Sequence, residues 1–165
     1  ALANAWGVIG GGMHIAMHAF GKITLFFCAG AIMVTAHKTK VSEMRGIGRS
    51  MPITMTAFLI GSLSVIGLPP LGGTWSKWYI ALGAAEAHHV ALVAILMISS
   101  LLNIGYLLPV AIRAFFLPEE QDEKPKIKEA PAFCVVSICM TAIGCLALFF
   151  FAGEIYRLLL PITQS

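Results

Sequence analysis

The stretch from residue 52 to 85 is apolar enough to cross a membrane, yet its middle forbids a continuous helix. It contains Leu63-Ser64-Val65-Ile66-Gly67-Leu68-Pro69-Pro70-Leu71-Gly72-Gly73-Thr74-Trp75-Ser76-Lys77-Trp78. Proline removes a helix donor and glycine gives up backbone entropy in a helix. Gly67, Pro69, Pro70, Gly72 and Gly73 therefore predict a break between two half-helices, 52–66 and 74–85. Pro52 suits a first helical turn, where its missing N–H is no loss. Non-helical backbone at bilayer depth survives only where protein or a wet cavity covers it. Lys77 lies just past the break, between Trp75 and Trp78. An ionisable group at that depth costs roughly 2.5–3.5 kcal/mol even on the lenient insertion scale, which makes it a functional candidate. The competing reading seats Lys77 at an interface, with the two tryptophans as belt aromatics.

The rest of the chain has the same character. Of its 165 residues 58% are hydrophobic and 12% charged, and the mean hydropathy is +0.86. A soluble domain is about half apolar and a quarter charged, so the fold class is an all-α integral membrane protein of about four spans. The net charge of +3 is small and dispersed, and nucleic acid is not an expected partner. Cys28, Cys134, Cys139 and Cys145 lie inside apolar runs without metal-ligand spacing and read as small buried hydrophobes. Ala1 opens the chain in apolar sequence without a methionine or a signal peptide, which points to a piece of a longer protein.

Residues 1–11 read as the tail of a preceding helix ending in a glycine turn at Gly10-Gly11-Gly12. The spans are then 12–36, the broken 52–86, 89–117 and 132–152, with a tail at 153–165. The loop at 37–51 carries Lys38, Lys40, Arg45 and Arg49 against Glu43. The loop at 118–131 adds Lys124, Lys126 and Lys128 and is dense in mixed charge, so 119–129 reads as solvated. The opposite side has only Arg157, paired by its i, i+3 spacing with Glu154. The positive-inside rule counts Lys and Arg, so both loops are expected in the cytoplasm and the C-terminus outside, in the plasma membrane of a prokaryote.

The first span holds His14, His18 and Lys22 at i, i+4 and i+8. Each step turns about 40° and rises about 6 Å, so the three form one polar stripe roughly 12 Å long. Histidine takes a proton on one ring nitrogen while giving one from the other. A lysine out of water is a candidate to exchange its proton. The stripe therefore reads as a proton path. Helix–helix hydrogen bonding is one alternative, and snorkelling of Lys22 is another. A metal site is disfavoured, because the glutamate of His-Glu-x-x-His is absent and Lys22 would repel a cation. Glu86, His88 and His89 fall at a turn, either solvated or as an outer proton port. Arg113 is expected to snorkel, and Asn103 to bond a neighbouring helix. No cofactor motif and no nucleophile–base pair is evident, so no catalytic residues are assigned.

Met13-His14-Ile15-Ala16-Met17-His18-Ala19-Phe20-Gly21-Lys22 with Leu25-Phe26-Phe27-Cys28-Ala29-Gly30 resembles the H-x-x-x-H-A-F-x-K-x-x-L-F-x-x-A-G helix of antiporter-like proton-pumping subunits. These subunits occur in complex I, Mrp-type cation/proton antiporters and membrane-bound hydrogenases. Met44-Arg45-Gly46-Ile47-Gly48-Arg49-Ser50-Met51-Pro52 resembles that family's connector, and residues 63–78 resemble its S-x-x-G-x-P-P-x-x-G-F-x-S-K broken helix. The Trp-Ser-Lys-Trp wording is most similar to the Mrp D-type branch. Gly21 and Thr74 stand where phenylalanine is usual, and Lys77 where some relatives carry glutamate. The resemblance implies about fourteen helices in two inverted repeats, of which this chain supplies the last four. It places proton translocation on His14, His18, Lys22 and Lys77, with protons and Na+ or K+ as cargo. Other membrane subunits of a hetero-oligomeric antiporter or oxidoreductase would be the partners. A structural membrane subunit, whose polar residues serve assembly alone, is the reading from another class.

Overall fold

The computed structural model describes residues 2–118 and 127–163. The described residues form seven α-helices and two 3-10 turns: α1 Ala5–Ala36, α2 Ile47–Ser50, α3 Pro52–Ile66, α4 Gly73–Glu86, α5 Val90–Phe116, α6 Ala132–Phe150 and α7 Ala152–Leu159, with turns at Val41–Glu43 and Leu160–Thr163. Helices α1, α5 and α6 are each long and apolar enough to cross a membrane, while α3 and α4 are the two halves of the broken span. α5 runs unbroken through Pro109.

The expected turn at Gly10-Gly11-Gly12 is absent. Residues 5–11 are the first turns of α1, a single 32-residue helix. Asn4 caps it, its side chain accepting from the Gly7 N–H at 3.0 Å. His37 closes it in the left-handed conformation (φ 53°). Gly10 serves packing, as does Gly83 on α4. A Cβ on Gly10 would sit 2.6 Å from the backbone nitrogen of Ile80, and one on Gly83 2.6 Å from that of Gly7. Without a hydrophobic drive between helices in lipid, close backbone approach through small residues is what binds them. α1 and α4 meet in this way, and α1 also packs on α3 and α6.

α3 is held at both ends. Glu129, expected to be merely solvated, accepts from Ile53 N–H at 2.6 Å, Thr54 N–H at 3.4 Å and Thr54 Oγ1 at 2.7 Å. A carboxylate here meets the orphan donors and positive dipole end of a helix N-terminus. Lys128 N–H adds a bond to the Ser50 carbonyl at 2.9 Å. Residues 119–126 of the charged loop, with Lys124 and Lys126, lie outside the described residues. Glu129→Ala should cost about 1–2 kcal/mol, the usual loss of an N-cap. Glu129→Gln, which keeps an acceptor, should lose less; denaturant unfolding of the full-length protein in detergent measures the difference.

Two apolar clusters carry the packing. One gathers Ile32, Ile47, Met51, Met55, Val110 and Ile138. The other gathers Ile9, Met13, Met17 and Ala152, with Trp75, Tyr79 and Tyr156 against them. The tail is structured: α7 folds back so that Tyr156 stacks on Tyr79, and Tyr79 on Trp6, each at 5.6 Å between ring centroids. Leu159 fills the space over Gly12. The Arg157–Glu154 pair forms at 3.2 Å. Cys28 and Cys145 are buried as expected, but Cys139 is only half-buried and Cys134 is exposed. Asn103, expected to bond a neighbouring helix, accepts from Tyr106 on its own helix.

Candidate functional site

The break between α3 and α4 is built by backbone fit. Gly67 ends α3 with φ 91°, and the N–H groups of Gly67 and Leu68 both return to the Leu63 carbonyl at 2.9 and 3.0 Å. Glycine is the residue that takes this left-handed closure without strain. The chain then passes through Leu68-Pro69-Pro70-Leu71, where the Pro69–Pro70 peptide is cis. Leu71 is buried, and Gly72 N–H is tied to the Cys145 carbonyl of α6 at 3.0 Å. Gly73 starts α4 directly beside α3, where a Cβ would fall 1.9 Å from the Ser64 carbonyl oxygen. Thr74 Oγ1 donates across the break to the Gly67 carbonyl at 3.2 Å.

Lys77 closes this structure. Its stem lies on Gly67, where an added Cβ would come within 2.8 Å of Lys77 Cδ. Its Nζ donates to the Ile66 carbonyl at 2.8 Å and to Ser100 Oγ on α5 at 2.7 Å. An ammonium at the end of α3 neutralises the partial negative charge of the last carbonyls. One half-buried lysine thus joins the end of one half-helix, the start of the other and the next span. Little in the sequence marks Ser100. Its only signal is the Ser99-Ser100 pair in an apolar helix, which ordinarily reads as a helix-packing feature.

The stripe on α1 faces the same region. His14 Nδ1 lies 3.0 Å from Ser76 Oγ, and Ser76 Oγ lies 3.1 Å from the Gly73 carbonyl. A hydroxyl has one proton to give. When Ser76 donates to Gly73, it accepts from His14 Nδ1–H, and His14 Nε2 is left to take a proton. The His14 and His18 rings stack at 4.9 Å. Ser76 adjoins Lys77 in α4, so His14 and, through the ring stack, His18 face the turn of α4 that carries Lys77. Both histidines are half-buried, whereas Lys22 is exposed and makes no hydrogen bond among the described residues. His14, His18 and Lys77 are therefore brought together, with Lys22 at the outer edge.

Glu86, His88 and His89 stand apart, at the far end of α4, all exposed. Glu86 is nine residues beyond Lys77, about 14 Å along a helix. Asn4 Nδ2 donates to Glu86 Oε2 at 3.0 Å and to the Gly83 carbonyl at 2.7 Å, locking the two helix ends together. Nothing in the sequence marks Asn4 beyond its generic suitability as a cap.

Residues 1–103 match the family described as NADH:quinone oxidoreductase/Mrp antiporter, TM. NADH-quinone oxidoreductase subunit N of Desulforudis audaxviator is 37% identical over 166 residues, covering 94% of this chain and 33% of that protein. Among solved structures, a chain of the Mrp complex from Dietzia sp. DQ12-45-1b superposes with a TM-score of 0.86 at 19% identity, over 96% of this chain and 37% of that one. A chain of respiratory complex I from Thermus thermophilus with bound aureothin gives 0.63 at 22% identity, over 92% and 36%. The chain thus spans just over a third of each solved chain and a third of the oxidoreductase subunit. The histidine-bearing span and the broken helix fall within residues 1–103, and the chain belongs to the NADH:quinone oxidoreductase/Mrp antiporter transmembrane family.

Proposed function

We infer that this chain is part of a proton-translocating, antiporter-like membrane subunit in which Lys77 exchanges a proton with the His14–His18 pair. The observation that carries this reading is the double hydrogen bond of Lys77 across the helix break. A charged Lys77 holds the Ile66 carbonyl and Ser100 together. A neutral amine holds them less strongly, because charge-assisted hydrogen bonds are about twice as strong as neutral ones. Loss of the proton therefore loosens the break, and gain of the proton tightens it. Charge on Lys77 in turn disfavours charge on the nearby imidazoles, and in a water-poor site such coupling is strong. Lys22, at the edge of the stripe, hands protons onward to groups outside this chain. Glu86, His88 and His89 lie at the end of α4 where an outer port would be. The Lys and Arg of the 37–51 and 118–131 loops favour a cytoplasmic position for both loops under the positive-inside rule.

Two assemblies suit such a subunit. The Mrp likeness favours a cation/proton antiporter, with Na+ or K+ exchanged against protons. The 37% identity to an NADH-quinone oxidoreductase subunit favours a complex I-type machine. Both relatives belong to multi-subunit assemblies, so further membrane subunits are the expected partners.

A purely structural role for the polar stripe makes a different forecast. Replacing His18 with Leu and Lys22 with Met in the full-length protein should leave assembly near normal and lower transport per assembled complex about tenfold, within the range for loss of a proton-transfer group. Impaired assembly with full transport in the complexes that do form would assign the stripe to packing.

A further inference from the structure

The geometry points to a second proton route at Lys77: a wetted path along one side of α5, through Ser100, Asn103 and Tyr106, to the end of the helix at Arg113. The route rests on the reading of Lys77 as a residue that loses and regains a proton, and adds a face of the membrane from which that proton comes. Ser100 is unlike the other hydroxyls of the spans. Thr24, Ser62 and Ser137 each donate to the carbonyl four residues back, at 2.8, 2.7 and 2.9 Å, the usual arrangement for such residues inside a helix. Ser100 Oγ instead accepts from Lys77 Nζ at 2.7 Å, and among the described residues its own proton has no acceptor. A hydroxyl can take one proton while giving another. When Lys77 is neutral, Ser100 turns its proton to Nζ. An N–H bond forms as the serine O–H breaks, and a water on the far side gives Ser100 a new proton in the same step. One positive charge arrives on Lys77 and no ion is left on the serine.

The polar groups continue beyond Ser100. Asn103 and Tyr106 follow at steps of three residues and Arg113 two turns later, so the four wind down one side of α5 over about 20 Å. The Tyr106 hydroxyl donates to Asn103 Oδ1, which leaves the amide N–H groups and the phenol oxygen free for water. Pro109 stands inside α5 and has no N–H, so the Gly105 carbonyl lacks its helical donor. The space at Gly105 is open: an added Cβ meets nothing within 4 Å. α5 is the least covered of the three long spans. Bare to hydrocarbon, an amide, a phenol and a free carbonyl would all be costly. Water satisfies the three together and joins them to Ser100. The path ends at Arg113, whose carbonyl accepts from the Gly46 N–H at 3.1 Å. Gly46 lies in the 37–51 loop, which the positive-inside rule favours for the cytoplasm.

The test uses the full-length protein in its assembled complex, in proteoliposomes, with the exposed Cys134 removed by Cys134→Ser. Asn103→Cys and Tyr106→Cys meet a membrane-impermeant methanethiosulfonate reagent on each face in turn. A thiol needs water to become the reactive thiolate, so both should react from the cytoplasmic face about fivefold faster than Leu101→Cys, an exposed position off the stripe. Ser100→Ala should lower proton flux about tenfold with assembly unchanged, and Ser100→Thr, which keeps the hydroxyl, should retain most of it. Tyr106→Phe should lower flux as well, and it replaces Ser100→Ala should that variant not assemble. Equal reaction of the three cysteines, or reaction from the outer face alone, would overturn the path. Unreactive cysteines with assembly lost in Tyr106→Phe would overturn it too, and assign the stripe to a neighbouring helix. Full flux in Ser100→Ala and Tyr106→Phe, with Lys77→Arg still impaired, would overturn the route alone. Full flux in Lys77→Arg would instead remove the reading of Lys77 on which the route depends.

Discussion

Gly73→Ala should be among the most damaging single substitutions in the chain, although it adds one carbon. The new Cβ would stand 1.9 Å from the Ser64 carbonyl oxygen and 3.1 Å from its carbon. Both are backbone atoms of α3 and cannot rotate aside as a side chain can. Relief requires the two half-helices to separate. That movement would break the Thr74–Gly67 hydrogen bond and draw Lys77 off the Ile66 carbonyl. Overpacking a close-packed interior costs about 1–3 kcal/mol and occasionally more, and this site belongs at or above the upper end. Gly11→Ala is the control. An added Cβ there meets nothing within 4 Å, and alanine is the better helix former by about 1 kcal/mol. Assembled full-length protein, measured by size-exclusion chromatography in detergent, should fall sharply for Gly73→Ala and hold for Gly11→Ala.

The second large effect separates the two roles of Lys77. Lys77→Met removes both hydrogen bonds and leaves the Ile66 carbonyl and Ser100 without the ammonium. It should impair transport and weaken the break together. Lys77→Arg is more informative. A guanidinium remains a cation and a hydrogen-bond donor, so it can still cap α3, but it does not give up its proton in a protein. The arginine variant should assemble at close to the normal level and translocate protons about tenfold more slowly or worse. A lysine that merely staples α3 to α5 would be replaced by arginine with little loss.

These expectations rest on features of unequal visibility in the sequence. The break is legible because Pro69, Pro70 and the surrounding glycines act through local backbone chemistry, and the half-helices appear where that chemistry puts them. The His14–His18 adjacency is legible because helical period alone stacks residues four apart. Gly10-Gly11-Gly12 misleads for the opposite reason. In water three glycines would end a helix, but here Gly10 lets α4 approach and Gly12 leaves room for Leu159, and no local rule contains those neighbours. Asn4, Ser100 and Glu129 are illegible in the same way. Their partners are 79, 23 and 75 or 76 residues away in the chain. α7 is hidden because its anchoring rings, Trp6, Tyr79 and Tyr156, come from three separate elements. Residues whose function depends on local geometry can be read directly, whereas those that lock elements together become visible only after folding.

The central claim is that Lys77 works by losing and regaining a proton. It is tested most directly by proton flux per assembled complex in proteoliposomes, comparing Lys77→Arg with the unaltered full-length protein. The account predicts normal assembly with flux reduced about tenfold or more, since the arginine side chain remains protonated throughout. Normal flux in the arginine variant would contradict it and leave Lys77 as a fixed cap on a broken helix.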